Sequence, residues 1–310
     1  MSHSDIPNEQ PDVGSAAPAP PPVPIALPSP VPEKEPVAPR VGGKRSVVRH
    51  SIVTRITHWL NALAMSLLLM SGLQILNAHP ALYWGNAGFD PSTAVLAIGD
   101  SGDEAGPRGW LQIAGRRFDT TGVLGVSSAG GMAHAIPFPS WATIPSWRDL
   151  ATGRRWHFLS AWILVLNGLL YLVSSLVTGH LRRDLWPRLA ELSLRNVARS
   201  LWDHLRLRHP KGDAALRYNV LQKVAYLAVI VVFVPMIVLT GCAMSPGLDA
   251  AAPWLPELLG GRQSARLLHF VAANLLVLFV IVHLLALLAV GVWNELRAMI
   301  TGRFVVPEEH

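Results

Sequence analysis

In the stretch RLLHFVAANLLVLFVIVHLLALL, residues 266–288, two histidines, His269 and His283, stand in an apolar run with no charge beside either. An imidazole that gives up its hydration to lipid needs a partner, either a hydrogen bond to a neighbouring helix or a metal. Fourteen residues separate the two, which on a helix amounts to about 21 Å of rise and a return to within about 40° of the same face. One helix therefore offers two nitrogen ligands to one side, near opposite membrane surfaces. Two further histidines, His58 and His157, lie at the starts of other apolar runs. Facing neutral imidazoles are suitable axial ligands for the iron of a noncovalent haem, whose apolar ring tolerates a bundle interior. Zinc is less suited, because a pair supplies only two ligands and no nearby Asp, Glu or Cys completes a tetrahedron. The alternative is that the histidines serve helix packing or proton relay without haem.

Four windows are long and apolar enough to carry these residues across about 30 Å of hydrocarbon: 56–76, 157–178, 221–243 and 267–290. The whole chain of 310 residues is 51% hydrophobic and only 15% charged, with mean hydropathy +0.34, which excludes an ordinary soluble domain. Its single cysteine, Cys242, excludes a disulfide framework, covalent haem attachment through C-x-x-C-H and a cysteine-held iron–sulfur cluster. The net charge of +6 and pI near 10.0 do not indicate nucleic acid, since basic residues in a membrane protein mark the cytoplasmic side. Lys44, Arg45, Arg49 and Arg55 precede the first window, and Arg182, Arg183, Arg188, Arg195, Arg199, Arg206, Arg208, Lys211 and Arg217 lie between the second and third. Both flanks are expected to be cytoplasmic, with N- and C-termini on that side. Pro235 is expected to kink the third helix.

This orientation sets the depths of the histidines. His58 and His283 fall near the cytoplasm, His157 and His269 near the periplasm, so two pairs at matched depth are predicted. Arg55, Arg154 and Arg155 precede the ligand histidines closely enough to pair with haem propionates, although flanking arginines are also ordinary in membrane helices. Gly72 and Gly168 offer room for a flat macrocycle. His3, His50, His79, His134, His180, His204, His209 and His310 are expected to be solvated. Residues 1–43, rich in Pro, Ala and Ser, are expected to form a disordered tail, with 44–302 the helical domain and 303–310 a short C-terminal tail. No signal sequence opens the chain, so the first helix is expected to direct targeting. LQIAGRRFDTTGVLG in the first loop suggests a small hairpin around an Ala-Gly turn, as an inert loop or a periplasmic docking surface. RLAELSLRNVARSLWDHLRLR suggests an amphipathic helix on the anionic inner leaflet, with Leu189, Leu192, Val197, Leu201 and Leu205 near one face.

With R-x-x-H-W at Arg55–Trp59, His-x13-His in the fourth window and RYNVLQK at 217–223, residues 48–300 resemble the di-haem cytochrome b subunits of formate dehydrogenase, nickel–iron hydrogenase and thiosulfate reductase. In the formate dehydrogenase branch the Tyr-Asn-x-x-Gln-Lys run opens the third helix, and its asparagine helps to form a quinone pocket. The resemblance therefore implies Asn219 at a quinone site, with Tyr218 and Gln222 as neighbours, and a periplasmic partner subunit of the molybdenum-cofactor (molybdopterin) oxidoreductase type. Asn219 as a plain helix-starting residue is the alternative.

The resulting expectation is an all-α integral membrane protein of the bacterial inner membrane, a four-transmembrane-helix bundle holding two noncovalent b haems. It is expected to relay electrons between the periplasmic oxidoreductase and quinone. A hydrogenase-type subunit and a haem-free transporter or scaffold are the rivals. The chain has no G-x-S-x-G, Walker A or H-E-x-x-H motif for chemistry on another substrate.

Overall fold

The computed structural model describes residues 40–41, 44–103, 106–129, 132–206 and 218–306. Four helices are long and apolar enough to cross a membrane: Ile52–Leu76, Leu150–Val177, Val220–Ala243 and Arg262–Val290, here the first to fourth spans. Between 6% and 22% of their apolar windows is buried within the chain. Leu63, Leu166, Leu170, Leu278 and Leu285 point outward, as side chains solvated by lipid do. The inner faces carry small residues, with Ala64, Ser71, Ser160, Thr240, Ser264, Ala265 and Ala272 all buried, which lets the backbones approach without a hydrophobic driving force.

The helices begin earlier than the apolar windows, because their first turns are polar and capped. Ser51 Oγ accepts from Thr54 N at 3.1 Å, and Asp149 Oδ1 accepts from Thr152 N at 3.0 Å. The third span opens with a capping box: Leu221 N donates to Asn219 Oδ1 and Asn219 N to Gln222 Oε1, both at 3.0 Å. At Pro235, which cannot donate to the preceding turn, the helix widens into a π segment over Ala228–Phe233 before resuming. Asn167 of the second span clamps the first, its Nδ2 donating to Thr57 O and Asn61 Oδ1 at 2.7 Å each.

At the end of the bundle between the first and second spans, here the loop end, four antiparallel strands form one sheet in the order Ala81–Leu82, Leu96–Asp103, Gly106–Ile113, Arg116–Asp119. The expected hairpin is its last pair, turned by Ala114 (φ 47°) and Gly115 (φ 81°). A second hairpin, Val126–Ala129 with Met132–Ala135, lies outside the expectation. The sheet is strapped to the spans. Gln263 N and Ser264 N donate to Gly85 O (3.0 and 3.2 Å), and Arg262 N donates to Asn86 Oδ1 (3.1 Å), which satisfies the open N–H groups of the fourth span. Arg266 donates to Ala81 O at 3.0 Å and to His79 O.

At the opposite, terminal end, Lys44–Val48 pairs antiparallel with Arg303–Val305, Ser46 facing Val305. Residues 303–305 are therefore part of the fold and not a tail. Arg40–Val41 pairs with Lys44 and Arg45, inside the stretch expected to be disordered, while 1–39 and 42–43 lie outside the described residues, as do Arg208, Lys211, Arg217, His3, His209 and His310. The amphipathic helix runs Leu194–Leu205, so Leu189 and Leu192 precede it and do not share its face.

Candidate haem sites

The two histidines of the fourth span face those of the first and second spans. His58 of the first span faces His283 with ring centroids 6.5 Å apart and planes inclined by 56°. His157 of the second faces His269 at 6.2 Å and 59°. Two metal–imidazole bonds of about 2 Å, plus about 1.1 Å from each nitrogen to its ring centre, give about 6 Å between centroids. Each gap is therefore the width that one iron atom fills. Among the described residues no group of three or more His, Cys, Asp or Glu gathers around a metal position. Two-ligand sites of this kind suit a metal whose remaining ligands come from a macrocycle, which is what haem provides.

The loop-end pair is held by two hydroxyls that the sequence reading did not single out. Ser71 Oγ lies 3.1 Å from His157 Nδ1 and itself donates to Leu67 O at 2.6 Å. Thr240 Oγ1 lies 3.0 Å from His269 Nδ1 and donates to Met236 O at 2.7 Å. Each hydroxyl spends its only proton on its own helix, so its lone pair receives Nδ1–H. Both rings are thereby set as the tautomer whose Nε2 is free to ligate. The legible trace is a Ser-Gly and a Thr-Gly dipeptide in two different spans. A methyl group on Gly72 or Gly241 would stand 3.5 Å from the Cε1 of His157 or His269. Gly72 thus lies against a ligand ring, whereas a methyl on Gly168 would meet nothing within 4 Å.

The other expected site residues sit as follows. Arg55 donates through Nη2 to Ile300 O, and its Nε is buried without a partner. Arg154 and Arg155 are exposed at the start of the second span, Arg154 lying 5.9 Å over the Phe158 ring. Asn219 caps the third span and accepts from Ser200 Oγ. It also lines an open surface depression of about 290 Å³ with Tyr218, Arg199, Ser200 and Asp203. An aromatic series leads from that depression to a histidine: Tyr218 to Tyr226 at 5.7 Å, Tyr226 to Phe279 at 6.2 Å, and Phe279 stacked on His283 at 5.9 Å.

Three histidines expected to be solvated, His50, His134 and His180, are half-buried. At His50, burial together with the Arg49 charge lowers the pKa to about 4. His180 Nδ1 lies 2.7 Å from Asp184 Oδ2. Burial pushes the Tyr218 phenol up to about 12.

The profile of the prokaryotic cytochrome b561 family matches residues 49–302. Over 198 residues the chain is 35% identical to YedZ1 of Azospira oryzae, a subunit named for a protein-methionine-sulfoxide reductase; the match covers 62% of this chain and 94% of that protein. No solved structure matches. Facing histidines inside apolar spans and a family match running from Arg49 to Gly302 lead to one conclusion: the chain belongs to the prokaryotic cytochrome b561 family, as a bacterial membrane protein that binds b-type haem and transfers electrons.

Proposed function

We propose that the chain holds two b haems, one between His58 and His283 and one between His157 and His269, and relays electrons between a periplasmic molybdenum-cofactor oxidoreductase and the quinone pool. The observation that carries this reading is the pair of facing histidines at each end of one bundle. Bound there, the haems would supply one-electron carriers roughly 20 Å apart along the fourth span. The protein's part is to hold and orient. His269 and His283 ligate from one helix, Ser71 and Thr240 fix two ligand rings, and Arg55, Arg154 and Arg155 pair with propionates at the two surfaces. The arginines of residues 182–206 and the basic run Lys44 to Arg55 support a cytoplasmic terminal end.

A quinone headgroup occupies the depression beside Asn219, whose Nδ2 makes no hydrogen bond among the described residues and is available to a quinone carbonyl. The strapped sheet at the loop end is the docking surface for the partner subunit. The name of the Azospira relative makes a protein-methionine-sulfoxide reductase one form this partner takes. The test is reduction of the purified protein's haem by a short-chain quinol analogue. Asn219→Ala should slow it about tenfold with haem content unchanged, the worth of one hydrogen bond of about 1.4 kcal/mol. Equal rates would remove Asn219 from the quinone site.

A further inference from the structure

The two histidine pairs are ligated alike but supported differently. At the loop end each ring donates Nδ1–H to a hydroxyl whose own proton is committed elsewhere: Ser71 for His157 at 3.1 Å, Thr240 for His269 at 3.0 Å. Both hydroxyls are fully buried, so water does not compete for the bond. At the terminal end His58 Nδ1 is buried with no hydrogen-bond partner among the described residues, and His283 is packed by the flat face of Phe279. An imidazole that donates from Nδ1 pushes more electron density through Nε2, which favours the oxidised state of a bound iron. Cations flank both sites, Arg55 near one and Arg154, Arg155 and Arg266 near the other. The cations are unequal in number, but Arg154 and Arg155 are exposed and screened by solvent, whereas the hydroxyls bond the rings directly.

We infer that Ser71 and Thr240 are positioning residues that set the redox order of the two sites, making the His157–His269 site the lower in potential. The inference rests on the two-haem reading above, and adds to it an order that ligand identity alone does not supply, since all four ligands are histidine.

The test is a potentiometric titration of the purified full-length protein followed at the haem α-band. The wild type should show two components. His283→Ala, which retains only the loop-end site, should keep the lower one. Thr240→Val and Ser71→Ala should each shift the lower component upward and leave the higher one in place, with two haems per chain; Thr240→Ser, which restores a hydroxyl, should return the wild-type value. A protein with fewer than two haems refutes the two-haem reading itself. Two haems with unshifted components in both variants, or the higher component surviving in His283→Ala, overturn the redox order alone. Loss of haem from both hydroxyl variants makes Ser71 and Thr240 structural and overturns their tuning role.

Discussion

The loop end and the terminal end of the bundle present the same pair of residue types in opposite settings. At the loop end both rings are pinned by buried hydroxyls, and the adjoining sheet is tied to the fourth span through Gly85, Asn86 and Arg266. At the terminal end His58 lacks such a partner, and titratable groups crowd the surface: half-buried His50, the His180–Asp184 pair, and Glu295 bonded to Arg49 at 3.2 Å. A surface depression opens there, walled by Tyr218 and Asn219. The difference teaches that matched ligands do not make matched sites. In the function proposed above, the strapped end carries the docked partner and the other end receives a small polar headgroup.

The strongest way to break the comparison is to remove ligands one end at a time. His58→Ala and His283→Ala should each cost about half of the bound haem and leave the same residual spectrum, while His157→Ala and His269→Ala should leave its complement, as measured by haem per chain and reduced-minus-oxidised absorbance. If partners within a pair leave different residual spectra, the pairing is wrong. Next in size is the loop-end strap. Arg266→Gln removes the donors to the carbonyls of His79 and Ala81, a loss of about 1 kcal/mol per hydrogen bond; faster amide exchange over residues 79–86, with the terminal end unchanged, should report it.

The terminal end should be acid-sensitive through His50. His50 has a folded pKa of about 4 against an ordinary histidine value of 6.5. Between those values the unfolded chain binds the proton and the folded chain does not, so stability is intact above about pH 6.5 and falls as pH drops toward 4. Thermal unfolding across that window should show the loss, and His50→Gln should lessen it. The smallest effect is expected at the glycines. Since a methyl on Gly72 or Gly241 would make ordinary 3.5 Å contacts, Gly72→Ala and Gly241→Ala should leave the haem spectrum unchanged and alter stability by no more than about 1 kcal/mol. Haem loss in Gly72→Ala would show instead that the macrocycle occupies that space.

The apolar spans were legible because hydropathy over twenty residues is a strong signal, and the histidines because an imidazole in such a run is costly. The helix starts were not, since Ser51, Asp149 and Arg262 lie in polar first turns that a hydropathy window discards. One hairpin in the loop announced itself through Ala114-Gly115. Its neighbours did not, because Leu96–Asp103 carries the low-propensity run Gly-Asp-Ser-Gly-Asp, and Ala81–Leu82 pairs with it at long range. Ser71 and Thr240 escaped for a similar reason: a hydroxyl in a membrane helix ordinarily bonds its own backbone, and only the register between spans reveals a ring on its other side. His50 reads as a flanking residue in sequence, because the helix Val292–Thr301 and the strand Arg303–Val305 that pack around the start of the first span lie about 240 residues away along the chain.

The central claim is that one bundle holds two haems, each between two histidines. It is tested most directly by haem quantification on the detergent-purified, air-oxidised protein, with low-temperature electron paramagnetic resonance on the same sample. Two haems per chain with two low-spin ferric signals is the predicted result. One haem per chain, or a high-spin signal that persists in fully loaded protein, would contradict it.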